Sequence, residues 1–233
     1  MGLPAFPRTP ANLLISASTS GTRTETVTAG ETAFVLVGIT SGGSSPAASG
    51  AGATWTKILE HDDGTRRFVV FRGTGLATGS QTVELSFSNT TTGRWSWVPA
   101  TGISTSTPDS TNDYLTTASS ARTSTDCSSA GITTAANVLG VLVQVHSASP
   151  SAIVVPTGWS RITAANSAIV LAYRASSSAF SAQKGTVSYT SITTAAIGGI
   201  AAFNGDDQAI SGQPYAKRWG GVPHFGGRSQ RRW

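Results

Sequence analysis

Few side chains in this sequence could carry out chemistry, and the densest group of them is the run His61-Asp62-Asp63. An imidazole and two carboxylates in a row could contribute ligands to a metal ion. Gly64 follows directly, however, and Asp and Gly are also the residues that a tight turn between strands favours. We therefore interpret residues 61–64 as a turn and predict no metal site.

The other candidate groups are isolated from one another. Cys127 is the only cysteine, and no cationic neighbour in the sequence would activate its thiol. His146 follows an apolar run and has no acidic residue within ten positions on either side. Asp206-Asp207 follows a candidate strand and suits a capped turn as well as it suits a site. Because no nucleophile, phosphate-binding or cofactor motif occurs, the sequence predicts a protein that is not an enzyme and binds no cofactor.

The composition is typical of a folded protein that is rich in strands. Charged residues make up only 12% of the chain, about half of the usual share of roughly 25%. Hydrophobic residues make up 39% and occur in short runs of β-branched and aromatic residues, as strands do. No window reaches the roughly 18 apolar residues of a membrane-spanning helix, so we expect no membrane partner.

An internal repeat organises the chain, because residues 34–102 match residues 140–205 motif by motif and in the same order. A repeat of about 105 residues has the size of a domain and exceeds the roughly 20–50 residues of a solenoid unit. The matched motifs are Val35–Ile39 with Val141–Val145, Trp55 with Trp159, Arg72 with Arg174, and Thr82-Val83 with Thr186-Val187.

The local pattern in each copy predicts strands, among them residues 132–134 and 159–163 of the second copy. Arg72 and Arg174 each end a strand run, and we expect them to occupy equivalent positions and to bind a loop carbonyl. In Thr82–Phe87 the apolar residues alternate with polar ones, and no stretch of ten residues has a helical period. The sequence therefore predicts an all-β protein with two tandem duplicated β-sandwich domains, jelly-roll or immunoglobulin-like in strand order, each with its own core. The expected bounds are residues 1–107 and residues 108–212, followed by an extended C-terminal arm at residues 213–233.

Tryptophans divide into two groups. Trp55 and Trp159 occupy matched positions, and we expect both to fill cores. Trp95 and Trp97 have the same parity on one strand and no aromatic counterpart in the second copy. We interpret them as core or subunit-contact residues, with stacking against the sugar rings of a ligand as the alternative.

The net charge of +5 is concentrated in residues 213–233, since residues 1–212 hold 11 basic and 11 acidic residues. The arm has no acidic residue and four aromatic ones, an unusual content for a solvated tail. We predict that it binds a neighbouring protein subunit, with a solvated tail and nucleic-acid binding as the alternatives. The expected partner-binding residues are Lys217, Arg218, Trp219, Phe225, Arg228, Arg231, Arg232 and Trp233.

The chain resembles structural proteins from the particles of tailed bacteriophages, both tail and head-surface proteins. The resemblance rests on Thr157-Gly158-Trp159, on Tyr173-Arg174, on the run Ala201-Ala202-Phe203-Asn204-Gly205, and on residues 217–224. It implies a non-enzymatic, homo-oligomeric virion component, either a capsid decoration or a tail-associated protein, that is assembled in the host cytoplasm on other capsid or tail subunits. A carbohydrate-binding adhesin on the same particle is the alternative, and a hydrolase of cell-surface glycan is a third interpretation.

Overall fold

The computed structural model describes residues 3–41, 45–104, 110–164, 167–192 and 194–205. These residues form strands and loops without a helix, so the described part of the chain contains no helix that could cross a membrane. The strands are β1 (Leu13–Val27), β2 (Thr32–Ser41), β3 (Ala47–Gly50), β4 (Thr54–Asp62), β5 (Arg67–Thr74), β6 (Gly79–Ala100), β7 (Ser110–Thr117), β8 (Arg122–Thr125), β9 (Val138–His146), β10 (Ser160–Arg161), β11 (Ile169–Ser176), β12 (Val187–Ile192) and β13 (Ala196–Asn204).

These strands pair into two large antiparallel sheets and one small one. The first large sheet has the order β1-β6-β2-β5-β4, and β3 pairs with β6 outside this path. The second has the order β7-β13-β9-β11-β10, and β8 pairs with β12 as a separate two-stranded sheet. In both large sheets the five strands therefore follow the same relative chain order: first, last, second, fourth and third.

The strands β1 and β6 are long because each passes from the first large sheet into an outer layer that covers it. Residues 94–100 of β6 pair with β2, whereas residues 79–86 pair with the far half of β1, and part of that stretch also pairs with β3. The register of β1 shifts between Ile15 and Ser20, where Ala17 has a positive φ of 46°. Such a bulge bends a strand and increases its twist. In the second half of the chain two separate strands take the place of each long strand. β7 and β8 correspond to β1, and β12 and β13 correspond to β6.

The core lies in three layers, of which the central one is shared by both large sheets. Phe34 and Leu36 of β2 pack against Val141 and Val143 of β9 in this central cluster. The intervening Val35 packs on the opposite face, in an outer cluster beneath the far parts of β1 and β6. Residues of β9 alternate in the same way between the central cluster and a second outer cluster beneath β8 and β12. Burial on both faces explains why residues 33–39 of β2 and residues 138–143 of β9 carry no polar side chain.

The shared central cluster corrects the expectation of two separate sandwiches with independent cores. Phe68 and Val70 of β5 and Phe203 of β13 belong to one buried cluster, although they come from different copies of the repeat. Each large sheet has an apolar inner face that its own outer layer does not cover. When the two inner faces pack together, their apolar surface is removed from water. This burial of apolar surface is the largest favourable contribution to the free energy of folding.

The structure places only some of the matched motifs in comparable environments. Trp55 and Trp159 both pack into outer clusters, each against a glycine whose Cβ would lie 2.8 Å from the indole, Gly73 and Gly140 respectively. Arg72 instead lies over the ring of Phe203 at 5.9 Å in the central cluster. Arg174 lies over Phe180 at 5.3 Å in the second outer cluster. The prediction that the two arginines are equivalent is therefore wrong, since they point to opposite faces of their sheets.

Most of the sequence-predicted strands are present, and the exceptions are short. The expected strand at residues 132–134 is a single bridge between Ile132 and Gln183. The expected strand at residues 159–163 shortens to Ser160–Arg161. Arg72 performs the predicted structural task, because its Nη2 donates a hydrogen bond to the backbone oxygen of Ser104.

Candidate functional site

Almost all of the described charged side chains interact with other groups of the same chain. Seven of the eight described carboxylates form an ion pair or accept a hydrogen bond, and Glu84 alone does not. Of the eleven described basic side chains, ten form an ion pair, a hydrogen bond or a contact with an aromatic ring, and Arg94 alone does not. The ten are Arg8, Arg23, Lys57, Arg66, Arg67, Arg72, Arg122, Arg161, Arg174 and Lys184.

Arg94 lines a groove of about 190 Å³ at the edge of the contact between the two large sheets. One wall comes from the first sheet and includes Leu14, which is the cross-strand neighbour of Arg94. Leu14 is 62% exposed, the highest value among the exposed large hydrophobic residues of the described chain. The opposite wall comes from the second half of the chain and includes Ser149 and Ser167, which lie in the loops after β9 and before β11.

Gly93 lines this groove, and Gly38 of the neighbouring strand lies against Ile169, another residue of its lining. A Cβ on Gly93 would lie 2.2 Å from the carbonyl oxygen of Gly38, and a Cβ on Gly38 would lie 2.5 Å from Cγ2 of Ile169. A side chain at Gly93 would therefore disrupt the pairing of β6 with β2, whereas a side chain at Gly38 would push the first sheet away from the second. The hydroxyls of Thr40 and Thr92 line the same wall as Arg94, and Thr40 donates a long hydrogen bond of 3.3 Å to the backbone oxygen of Thr92.

The sequence predicts a turn at residues 61–64, but His61 and Asp62 are the last residues of β4, where they pair with Phe68 and Arg67, and the turn begins only at Asp63. The carboxylate of Asp62 accepts a hydrogen bond from the backbone of Gly64 (2.8 Å), and that of Asp63 accepts two, from Thr65 (3.0 Å) and Arg66 (2.7 Å). Burial would raise the pKa of both carboxyl groups, but hydrogen bonds and the nearby arginines lower the pKa of each below its ordinary value. Within the described residues no group of three or more His, Cys, Asp or Glu side chains could hold a metal ion.

The imidazole of His61 joins the two halves of the molecule. Its ring stacks on Tyr114 with centroids 4.3 Å apart, and its Nε2 lies 2.6 Å from Oγ1 of Thr116. Both partners are on β7, at the edge of the second sheet. This histidine therefore has a contact role between β4 and β7.

Cys127 and His146 belong to one buried polar cluster in the second half. Burial raises the pKa of the Cys127 thiol, which keeps it protonated and unreactive. Nε2 of His146 lies 2.8 Å from Oε1 of Gln144, whose Nε2 donates to the backbone oxygen of Thr125 at 3.2 Å. The ring of Tyr189 meets the imidazole edge-on at 5.4 Å. The glycine at position 198 is required here, since a Cβ would lie 2.9 Å from Sγ of Cys127.

The structure gives different outcomes for the remaining candidates. Trp95 and Trp97 are 1% and 0% exposed and lie in the first outer cluster, so neither ring has a face open to a ligand. Asp206-Asp207 and the expected partner-binding residues of the arm lie outside the described residues. The sequence reasoning missed Arg94, because a sequence does not reveal which cation lacks a counter-ion.

The fold and the groove define an all-β protein of antiparallel sheets with a small cationic groove. Comparisons with models of protein families, with curated proteins and with solved structures found no match. The functional argument therefore rests on the charges and surfaces of this chain.

Proposed function

We propose that the chain is a non-enzymatic structural component of a tailed-phage particle, as a capsid decoration or a tail-associated protein. The observation that carries the proposal is the partition of charge between a neutral body and a basic arm. In the body, residues 1–212, every described basic side chain except Arg94 interacts with another group of the same chain. Residues 213–233 hold five basic residues and no acidic one. An arm of this composition is suited to an acidic surface on a neighbouring capsid or tail subunit.

We also infer that the body consists of two tandem duplicated β-sandwich units, residues 1–107 and 108–212. The shared relative strand order of the two large sheets supports a duplication. Cross-strand pairs support it too, because Phe34 faces Val98 in the first sheet as Leu139 faces Phe203 in the second, and all four lie in the central cluster. The central cluster makes the two units one rigid block, which is a property suited to repeated use in an assembly.

The aromatic residues of the arm are expected to supply most of its binding free energy. Exposed ion pairs contribute about 0–1 kcal/mol each, so the arginines mainly orient the arm and steer its approach. Buried aromatic anchors contribute more, and Trp, Tyr and Arg are the residues enriched at such hot spots. Trp219, Phe225 and Trp233 are the proposed anchors.

Deletion of residues 213–233 tests this function. The truncated protein should unfold at nearly the same temperature as the full chain, because the arm holds none of the repeated core motifs, yet it should no longer incorporate into particles. A matched variant that replaces Trp219, Phe225 and Trp233 with serine and keeps every charge should fail to incorporate as well. Normal incorporation of the truncated protein would contradict the proposal.

A carbohydrate-binding adhesin on the particle is the second candidate function. The groove around Arg94 is the observation that favours it, because this groove offers an unpaired cation, several hydroxyls and an exposed apolar side chain in one place. The two functions are compatible in one protein, and they make different demands: the first needs the arm and the second needs the groove.

A further inference from the structure

Arg94 is available for a ligand in a way that the other described basic residues are not. It is partly buried on β6, and no described carboxylate, carbonyl or aromatic ring pairs with its guanidinium. A guanidinium presents five donors in a planar fork that matches a carboxylate. Because it stands at the wall of a groove, a ligand can reach it without any change in the internal ion pairs of the body.

Among the described residues, the position that corresponds to Arg94 in the second sheet has no such groove beside it. Val98 of β6 and Phe203 of β13 occupy the same register position in the two sheets. The residues four positions before them are Arg94 and Gly199, so Gly199 corresponds to Arg94. The space beside Gly199 is filled, since a Cβ there would lie 2.4 Å from the ring of Phe68. The space beside Arg94 stays open, so the two large sheets are in close contact at Gly199 and leave a groove at Arg94.

The groove wall combines the groups that a sugar ring requires. Thr40, Thr92, Ser149 and Ser167 bring hydroxyl groups to the groove, and Leu14 offers an apolar patch to the carbon face of a ring. The oxygen of Ser167 accepts a hydrogen bond from the backbone N–H of Ile169 (3.1 Å), so this hydroxyl can serve a ligand as a donor. The volume of about 190 Å³ falls below the roughly 300–1,000 Å³ of pockets for drug-sized ligands. A space of this size accommodates one ring.

We propose that this groove binds a single acidic sugar residue, such as a uronic acid, with its carboxylate on the guanidinium of Arg94. Its hydroxyls exchange hydrogen bonds with the serine and threonine side chains of the two walls, and its carbon face lies on Leu14. A bidentate arginine–carboxylate pair would select an acidic sugar over a neutral one. The inference rests on the second candidate function, carbohydrate binding at this groove, and is independent of the arm and of particle assembly.

The test is a titration of the full-length, ¹⁵N-labelled protein with glucuronic acid, followed by amide chemical shifts. Saturable shifts are expected around Arg94, Ser149 and Ser167, with glucose producing much smaller ones at equal concentration. The variant Arg94→Gln should weaken glucuronate binding by about tenfold or more, the loss that corresponds to removing charge-assisted hydrogen bonds. Arg94→Gln should fold normally, because Arg94 makes no described contact that folding would miss.

Lys184→Gln is the matched control, since it removes the same charge from an exposed side chain whose nearest carboxylate oxygen, on Asp126, is 3.6 Å away. This variant should bind glucuronate as the unmodified chain does. Three outcomes would overturn the proposal: equal binding of glucose, equal weakening by both variants, or no saturable shift. A fourth outcome would also overturn it: chemical shift changes with inorganic phosphate as large as those with glucuronate would show an anion site without selectivity for sugar.

Discussion

The imidazole of His146 occupies an electrostatically unfavourable place inside the second half of the molecule. It is fully buried, and burial together with the positive charges of Arg122 and Arg66 lowers its pKa to about 4. Arg122 begins β8, whereas Arg66 comes from the turn between β4 and β5 in the other half. Tyr189 and Gln144 complete the surroundings, and Nδ1 of the ring has no hydrogen-bond partner among the described residues. The neutral form is therefore the one that the fold accepts.

We predict that this histidine makes the protein less stable in moderately acidic solution. The folded-state pKa of about 4 lies below the ordinary value of 6.5, so the unfolded chain binds the proton more readily between these two values. Stability should consequently fall as the pH drops from about 6.5 to about 4, and the linked loss amounts to about 3 kcal/mol at most. Urea unfolding at several pH values in this window measures the effect.

The variant His146→Gln separates this histidine from the carboxylates that titrate nearby in pH. The difference in free energy of unfolding between the unmodified chain and the variant should shrink, and shift in favour of the variant, as the solution becomes more acidic. The carboxylates are common to both proteins and cancel in this difference. A difference that stays constant across the window would contradict the assignment.

The N-terminal segment, residues 5–8, binds to the rest of the fold and to the turn between β1 and β2. Ala5 exchanges two backbone hydrogen bonds with Thr101, and Phe6 packs edge-on against Tyr173 of the second half at 4.3 Å. Arg8 donates two hydrogen bonds, of 2.7 and 2.8 Å, to the carboxylate of Glu31 between β1 and β2. Burial alone would raise the pKa of Glu31, but the bonds from Arg8 and Thr28 lower it. The segment thus neutralises a buried charge as it closes the turn.

Arg8→Ala should therefore destabilise the protein by about 1.5–3 kcal/mol, the usual contribution of hydrogen bonds to a charged group. The Glu31 side chain is only 1% exposed, so water cannot replace the lost partner without local opening. Urea unfolding gives the magnitude. Adding Glu31→Gln to Arg8→Ala should cost less than the sum of the two single changes, because the stranded charge is removed. Strictly additive costs would show that the pair contributes nothing as a pair.

Elements were predictable from the sequence where a local pattern defines them. Alternation in Thr82–Phe87 and the apolar run Val35–Ile39 identified parts of β6 and β2. The full 22-residue length of β6 was not predictable, because the local sequence of its polar middle section fits a loop and an exposed strand equally well. Arg72 and Arg174 look alike in sequence but face opposite ways, since a one-residue change of register reverses every side chain of a strand.

For the whole molecule, the sequence could not indicate what covers the second face of each large sheet. Apolar residues on both faces of β2 and β9 require cover on both sides, but a core of their own copy and a contact with the other copy satisfy that need equally well. The central cluster resolves it in favour of the contact. The groove at Arg94 has the same origin, because it depends on how completely the two sheets close along their shared edge.

The shared core predicts that neither half folds alone. In a fragment of residues 1–107, side chains such as Phe34, Leu36, Phe68 and Val70, which are 0–1% exposed in the whole chain, would face water. Exposure of a Val, Leu or Phe side chain costs about 1.5–3 kcal/mol, so four of them amount to roughly 6–12 kcal/mol, comparable to the whole stability of a domain. Fragments 1–107 and 108–212 should aggregate or self-associate when produced separately, and should form a one-to-one complex when co-expressed. Size-exclusion chromatography with light scattering measures this, and a monomeric, cooperatively unfolding fragment 1–107 would show that the central cluster is dispensable.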